Sequence, residues 1–218
     1  MSSRLPRSFF ARPTLTVARE LLGQRLVKVE RGRRLSGLII EVEAYVGEAD
    51  LACHARVGRT QRTEVMYWQA GHLYVYFTYG MHWLMNFITE GEGFPAAVLL
   101  RAIAPTEGEA AMLRRRNGRR DHLTDGPAKV TQALAIDKRW NGCDVCAPGS
   151  ALFIEAADPV PDPGVAAAPR VGLGQTPEPW LSKLWNFSVI KYPNPHLNGD
   201  HPHGTTHRKD RPHLRRGE

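Results

Sequence analysis

A chain of 218 residues with 42% hydrophobic content and a net charge of +7 is long enough to bury a core unaided and too apolar to be disordered throughout. No apolar run approaches the length of a membrane span, and three cysteines, Cys53, Cys143 and Cys146, are too few for a disulfide framework. Arginine dominates the basic set, which favours a polyanionic partner.

Residues 1–19 contain no acid, as in transit peptides. From Thr14, however, Leu15, Ala18 and Leu22 recur at helical spacing and Gly23 is a natural stop, so a folded helix is expected. With no secretory apolar core, a cytoplasmic protein is expected. Residues 25–30 and 34–45 read as two strands joined by RGRR. In the second strand, alternation places Leu38, Ile40, Val42 and Ala44 on one face and Ile39, Glu41, Glu43 and Tyr45 on the other. The mixed face is open to two readings: the solvated side of an antiparallel sheet, or a carboxylate facing a pocket beside Tyr45. Residues 46–66, with Arg56, Arg59 and Arg62, read as a loop or short helix. Residues 73–90 read as a second hairpin and 95–103 as a buried strand. Helices are expected over 107–120 and over 125–136, the latter started by Asp125-Gly126-Pro127. A short strand follows at 151–155, a Pro/Ala/Gly-rich surface loop at 157–169, and late strand structure at 170–174 and 185–190. From residue 193 the chain is rich in turn formers and holds five of its nine histidines; a disordered His/Arg-rich tail, 193–218, is expected after a domain spanning 1–192.

The second hairpin, LYVYFTYGMHWLMNF, concentrates six of the 18 aromatics. Phe77, Trp83 and Phe87 are expected in the core. Tyr79, beside Gly80 at the turn, is expected to be exposed, and an exposed aromatic near arginines suits unstacked bases or insertion between base steps. The CDVC pair at 143–146 has no second CxxC and no suitably spaced histidine pair, so a closed zinc site is not expected. No histidine is followed two positions later by glutamate, which argues against zinc deaminase chemistry.

The ordered set EVEAYVGEADLACHA (41–55), GHLYVYFTYGMHWLMN (71–86), LLRAIAP (99–105), DGPAKVTQALAI (125–136) and RVGLG (170–174) resembles the 3-methyladenine (alkylpurine) DNA glycosylase family, over about residues 8–190. The resemblance implies a single α+β domain with a curved antiparallel sheet and a protruding DNA-binding β-hairpin. It implies a monomeric, monofunctional hydrolase of N-glycosyl bonds that acts on double-stranded DNA containing damaged purines. It implies base flipping, an abasic-site product, no metal or other cofactor, and no membrane partner. Glu43 falls on the general base that activates water, and Arg101 on the arginine near the water and the target phosphate. Tyr45, His54 and Tyr76 fall on residues that sandwich the flipped base, and Asn86 on the residue that disfavours the guanine amino group. Leu173 stands where the family often has valine near the water. Tyr79 falls on the residue that fills the gap left in the duplex.

Glu41 has no counterpart role and reads as a surface or salt-bridging carboxylate. Lys129 reads as structural or phosphate-contacting, and RRRNGRR (114–120) as a solvated basic face or a phosphate contact. Where the family has L-R-[FW] this chain has LWNF (184–187), so Lys183 or Lys191 would have to supply any cation needed there. Two other readings remain: a non-catalytic nucleic-acid-binding module that uses the aromatic hairpin, and a metal-dependent hydrolase built on His54 and the acids.

Overall fold

Alternating apolar residues over 25–46 produce the central hairpin, β1 (Arg25–Glu30) and β2 (Arg33–Val46). Its two-residue turn places Arg31 and Gly32 at φ 49° and 73°, the left-handed pair that matches strand twist. The computed structural model describes residues 3–190; the tail expected from 193, and Lys191, lie outside them. The described residues form one α+β domain built on an open, eight-stranded antiparallel sheet. The remaining strands are β3 (Leu73–Thr78), β4 (His82–Thr89), β5 (Ala96–Glu107), β6 (Leu152–Glu155), β7 (Val165–Ala168) and β8 (Asn186–Val189). The main order is β3-β4-β5-β2-β1-β6, with β8 also on β2 and β7 on β8.

The long strand β2 organises this sheet. One edge pairs with β5 from Ser36 to Val46. The other pairs with β1 up to Leu38 and then with β8 at Glu41–Glu43. The carboxylate-bearing stretch is therefore hydrogen-bonded on both sides.

Strict alternation fails in this strand. Ile39 pairs with Ile103 and Glu41 with Ala102, leaving Ile40 as an extra residue; Val42 then pairs with Leu100, leaving Arg101 extra on β5. The bulges exchange faces. Ile39, not Ile40, joins Val42 and Ala44 in the main core, and Ile40 packs instead with Ala102 and Ala104.

Helices α1 (Arg7–Phe10) and α2 (Thr14–Leu21) bury Phe10, Val17 and Leu21 against the sheet. Glu90 accepts from the Thr14 amide at 2.6 Å, so a carboxylate sits at the positive end of α2. Helix α3 (Glu109–Arg115) is shorter than the expected 107–120, because Asn117 and Gly118 turn left-handed. Helix α4 (Pro127–Leu134) has proline in its first turn. At its end the buried Lys28 donates to the Leu134 carbonyl at 2.7 Å, a cation on the negative end; burial lowers the Lys28 pKa. Two further expectations change. The 157–169 loop contains β7, and 170–174 is a turn rather than a strand. Residues 46–66 form two short 3-10 helices, His54–Val57 and Glu64–Tyr67, within loops. Among the described residues, no helix is long and apolar enough to cross a membrane.

Candidate active site

The end of β2, the His54 helix, the β3–β4 hairpin, β5 and the 171–176 turn converge on one cavity of about 450 Å³, within the usual range for a small-molecule site. Tyr45, His54, Tyr76, Asn86, Arg101, Leu173 and Tyr79 all line it. Glu43 does not: its side chain is fully buried. It lies one layer behind the wall, bonded to three lining residues. The Tyr45 hydroxyl donates to Glu43 Oε2 at 2.9 Å, and the Val171 amide donates to Oε1 at 2.7 Å. Arg101 reaches Oε1 at 3.2 Å. Asn186 Nδ2 adds a third hydrogen bond at 3.1 Å, also to Oε1.

The bulge that leaves Arg101 unpaired on β5 turns its guanidinium onto both acids of β2. Its Nε lies 2.6 Å from Glu41 Oε1, which also accepts from Asn186 at 2.9 Å. Glu41 is thus a salt-bridging carboxylate. Burial opposes the charge on Arg101, but Glu43 and Glu41 outweigh it and raise its pKa.

The aromatic wall is neutral. Burial first, and then the charge of Glu43, push the Tyr45 phenol up; burial, Tyr74 and Glu43 do the same to Tyr76. The His54 ring meets Tyr76 edge-on at 4.5 Å, and its Nδ1 lies 3.0 Å from the Tyr74 hydroxyl. Burial, helped by Arg62 and Arg56, lowers His54 to about 4, so the imidazole is uncharged at neutral pH. Asn86 is held by a 3.1 Å bond to the Tyr74 carbonyl.

Tyr79 stands at the tip of the β3–β4 hairpin, 80% exposed, with φ 51°. Gly80 follows at φ 67°, and the Met81 amide closes the turn onto Thr78. Of the three aromatics expected in the core here, Phe87 is fully buried and Trp83 packs partly against the core. Phe77 is 44% exposed and stacks on Trp83 near the tip at 4.8 Å. So close to the turn, the sheet has no layer above it to cover both faces.

Several residues of the site carry no sequence signal that would assign them. Asp50 and Arg170 form a fully buried ion pair behind Tyr45. Asn186 and the Val171 amide bond Glu43 from the far end of the chain. Lys183, which the sequence offered as the cation beside LWNF, sits 4.4 Å and 4.3 Å from the Trp180 and Trp185 ring centroids. Elsewhere, Lys129 pairs with Asp125 at 2.8 Å. Arg115 and Arg120 of the basic run are engaged by Glu30 and Glu109. Cys143 and Cys146 are free thiols, and burial pushes Cys146 up to about 11. Among the described residues, no group of three or more His, Cys, Asp or Glu side chains is gathered as a metal site.

A profile of the methylpurine-DNA glycosylase family matches residues 8–193. Three similar proteins each bear the name "Putative 3-methyladenine DNA glycosylase". The Methanocella arvoryzae protein is 46% identical over 185 residues, 84% of this chain and 90% of its own. The Myxococcus xanthus protein is 47% identical over 169 residues, 78% and 81% of the two chains. The Prosthecochloris aestuarii protein is 39% identical over 208 residues, 94% and 96%. With its sheet, its cavity and matches of this extent, the chain belongs to the methylpurine-DNA glycosylase family.

Proposed function

We propose that this DNA glycosylase draws an alkylated or deaminated purine out of duplex DNA into the cavity and hydrolyses its N-glycosidic bond, leaving an abasic site. In this reading it works as a monomer, without a metal or cofactor. The observation that carries it is the buried Glu43 carboxylate directly behind an aromatic wall, with an exposed tyrosine at the same cavity.

The hydrogen bonding of Glu43 suggests which oxygen works. A carboxylate oxygen has two lone pairs. Oε1 already accepts two hydrogen bonds, from the Val171 amide and Asn186, and is ion-paired with Arg101, whereas Oε2 accepts only from the Tyr45 hydroxyl. Oε2 therefore keeps an unused lone pair with which to take a proton from an attacking water. As the bond to C1′ breaks, the sugar becomes oxocarbenium-like, and the same carboxylate stabilises that charge while acting as general base. Arg101, held by both acids, faces the water and the target phosphate, and Leu173 borders them.

Tyr45, Tyr76 and His54 receive the base. Alkylated purines of the 3-methyladenine type carry positive charge or acquire it easily, and each aromatic face offers such a base about 0.5–2 kcal/mol. A neutral His54 adds no repulsion. Asn86 is placed to disfavour the guanine amino group. Tyr79 enters the space the base vacates, and unpairing costs least at a weakened pair, which adds selectivity.

Methylated duplex DNA provides the test. The wild-type protein is expected to release free 3-methyladenine, and Glu43→Gln to bind the same DNA while losing at least about a hundredfold in release rate, the lower range for a general base. A Glu43→Gln protein with full activity would remove Glu43 from the mechanism. DNA binding without base release by the wild type would favour a binding module instead.

A further inference from the structure

We propose that Arg170, clamped by Asp50, is the positioning residue of the site, holding the Val171 amide on Glu43 and the Tyr45 ring in the cavity wall. This inference rests on the reading of Glu43 as the working carboxylate. Arg170 and Asp50 are 120 positions apart, and both side chains are completely buried. Their contact is bidentate, NH1 to Oδ2 at 2.5 Å and NH2 to Oδ1 at 2.9 Å, the geometry that fixes a guanidinium in plane as well as in place.

What the pair holds is the argument. Arg170 NH1 also donates to the Ala44 carbonyl at 3.0 Å, and NH2 to the Trp180 carbonyl at 3.2 Å. Ala44 lies between Glu43 and Tyr45 on β2. Asp50 in turn accepts the Val46 amide at 3.2 Å and the Ala52 amide at 3.0 Å. One ion pair thus joins three segments that build the cavity: the end of β2, the loop that leads to His54, and the turn that starts at Arg170. The next residue, Val171, delivers its amide to Glu43 Oε1 at 2.7 Å. The guanidinium also lies against the Tyr45 ring, 4.7 Å from its centroid, with the Trp185 ring at 5.0 Å.

A pair placed only for stability has no reason to reach both the base and the base pocket. Here the same cation fixes a donor to Oε1, leaving Oε2 as the open oxygen, and backs the ring whose hydroxyl meets Oε2. The chemistry expected of Arg170 is therefore orientation: it touches neither substrate nor reacting atom, and it sets the carboxylate and one aromatic wall relative to each other.

The test uses the full chain with Arg170→Lys and Asp50→Asn, each checked for folding by circular dichroism and assayed below its melting temperature. Two readouts are taken: single-turnover base release from methylated duplex DNA, and affinity for duplex DNA with an abasic-site analogue. Expected is a fall of at least tenfold in the release rate, with affinity within twofold of wild type, for every variant that folds. Lysine keeps the charge but not the bidentate fork, so a wild-type rate in Arg170→Lys overturns the proposal. A parallel loss of rate and affinity overturns it too, since that marks a purely structural pair. If only Asp50→Asn folds, its rate and affinity decide in the same way. Glu43→Gln run alongside separates the two ideas. Full activity there removes the reading of Glu43, whereas an inactive Glu43→Gln beside fully active Arg170 and Asp50 variants overturns the positioning role alone.

Discussion

His54 illustrates how burial sets the charge of a single side chain. Its pKa falls to about 4 in the folded protein, against about 6.5 for a free imidazole. Between these values the unfolded chain binds the proton more readily, so its contribution to stability is complete above pH 6.5 and is lost as pH falls through 4. Compared with His54→Gln, the wild type should lose stability over this window, by up to about 1.4 kcal/mol per pH unit. Urea melts of both proteins from pH 7 to pH 4 measure it; parallel curves would mean that His54 titrates normally. A glutamate with three hydrogen-bond donors and an ion-paired arginine, as at Glu43, lies behind the wall that holds the neutral His54, and neither the partners of the one nor the charge of the other could be read from residue type. Sequence spacing placed Glu41 and Glu43 on one face and ended there. The family resemblance singled out Glu43. Its burial and its partners Asn186 and Val171 depend on chain segments about 130 residues away, beyond the reach of any local pattern.

At the scale of elements, the hairpins and the α2 and α4 helices followed from alternation, helical spacing and turn chemistry. The bulges in β2 and β5 did not, because Ile40 and Arg101 look like ordinary strand residues until their partners are known. β7 was hidden for a different reason: the alanines of VAAA have little preference for strand, and pairing with β8 supplies what composition lacks. The hairpin tip departs from local preference. Tyr79 occupies a left-handed backbone position, where a non-glycine residue costs roughly 1–2 kcal/mol. Tyr79→Gly should therefore leave the fold as stable as wild type or raise it by about 1 kcal/mol, while weakening affinity for DNA with an abasic-site analogue by at least tenfold. Thermal melts and binding titrations report the two effects separately; unchanged affinity would contradict the insertion role. The buried ion pair behaves in the opposite sense. Asp50→Ala strands the Arg170 cation in the interior and should cost about 3–5 kcal/mol, read as a drop in the urea midpoint.

For the molecule as a whole, the net charge of +7 matters most, in the proposed reaction, at the first encounter with DNA. Phosphate contacts release counterions, so affinity for undamaged duplex should fall steeply between 50 and 200 mM salt, linearly in a log–log plot. Single-turnover base release at saturating protein should change little over the same range, since the Glu43–Arg101 cluster is screened far less than surface charge. A salt-independent affinity would mean that the basic surface does not meet the DNA backbone.

The sharing of one edge of β2 between β1 and β8 has a consequence for the life of the chain. The ribosome finishes the sheet from β3 through to β6 well before it makes the groups that complete the site. Arg170 and Val171 emerge later, and Asn186 follows Glu155, the last residue of β6, by 31 residues. At roughly 5–20 residues per second, that interval is about 2–6 seconds, during which the nascent sheet has its core but no finished chemistry. A chain halted after β7 would carry Glu43 on an unpaired edge, without Arg170, the Val171 amide or Asn186 to orient it. On the proposed reading of Glu43, a chain halted there is expected to release no base from methylated DNA.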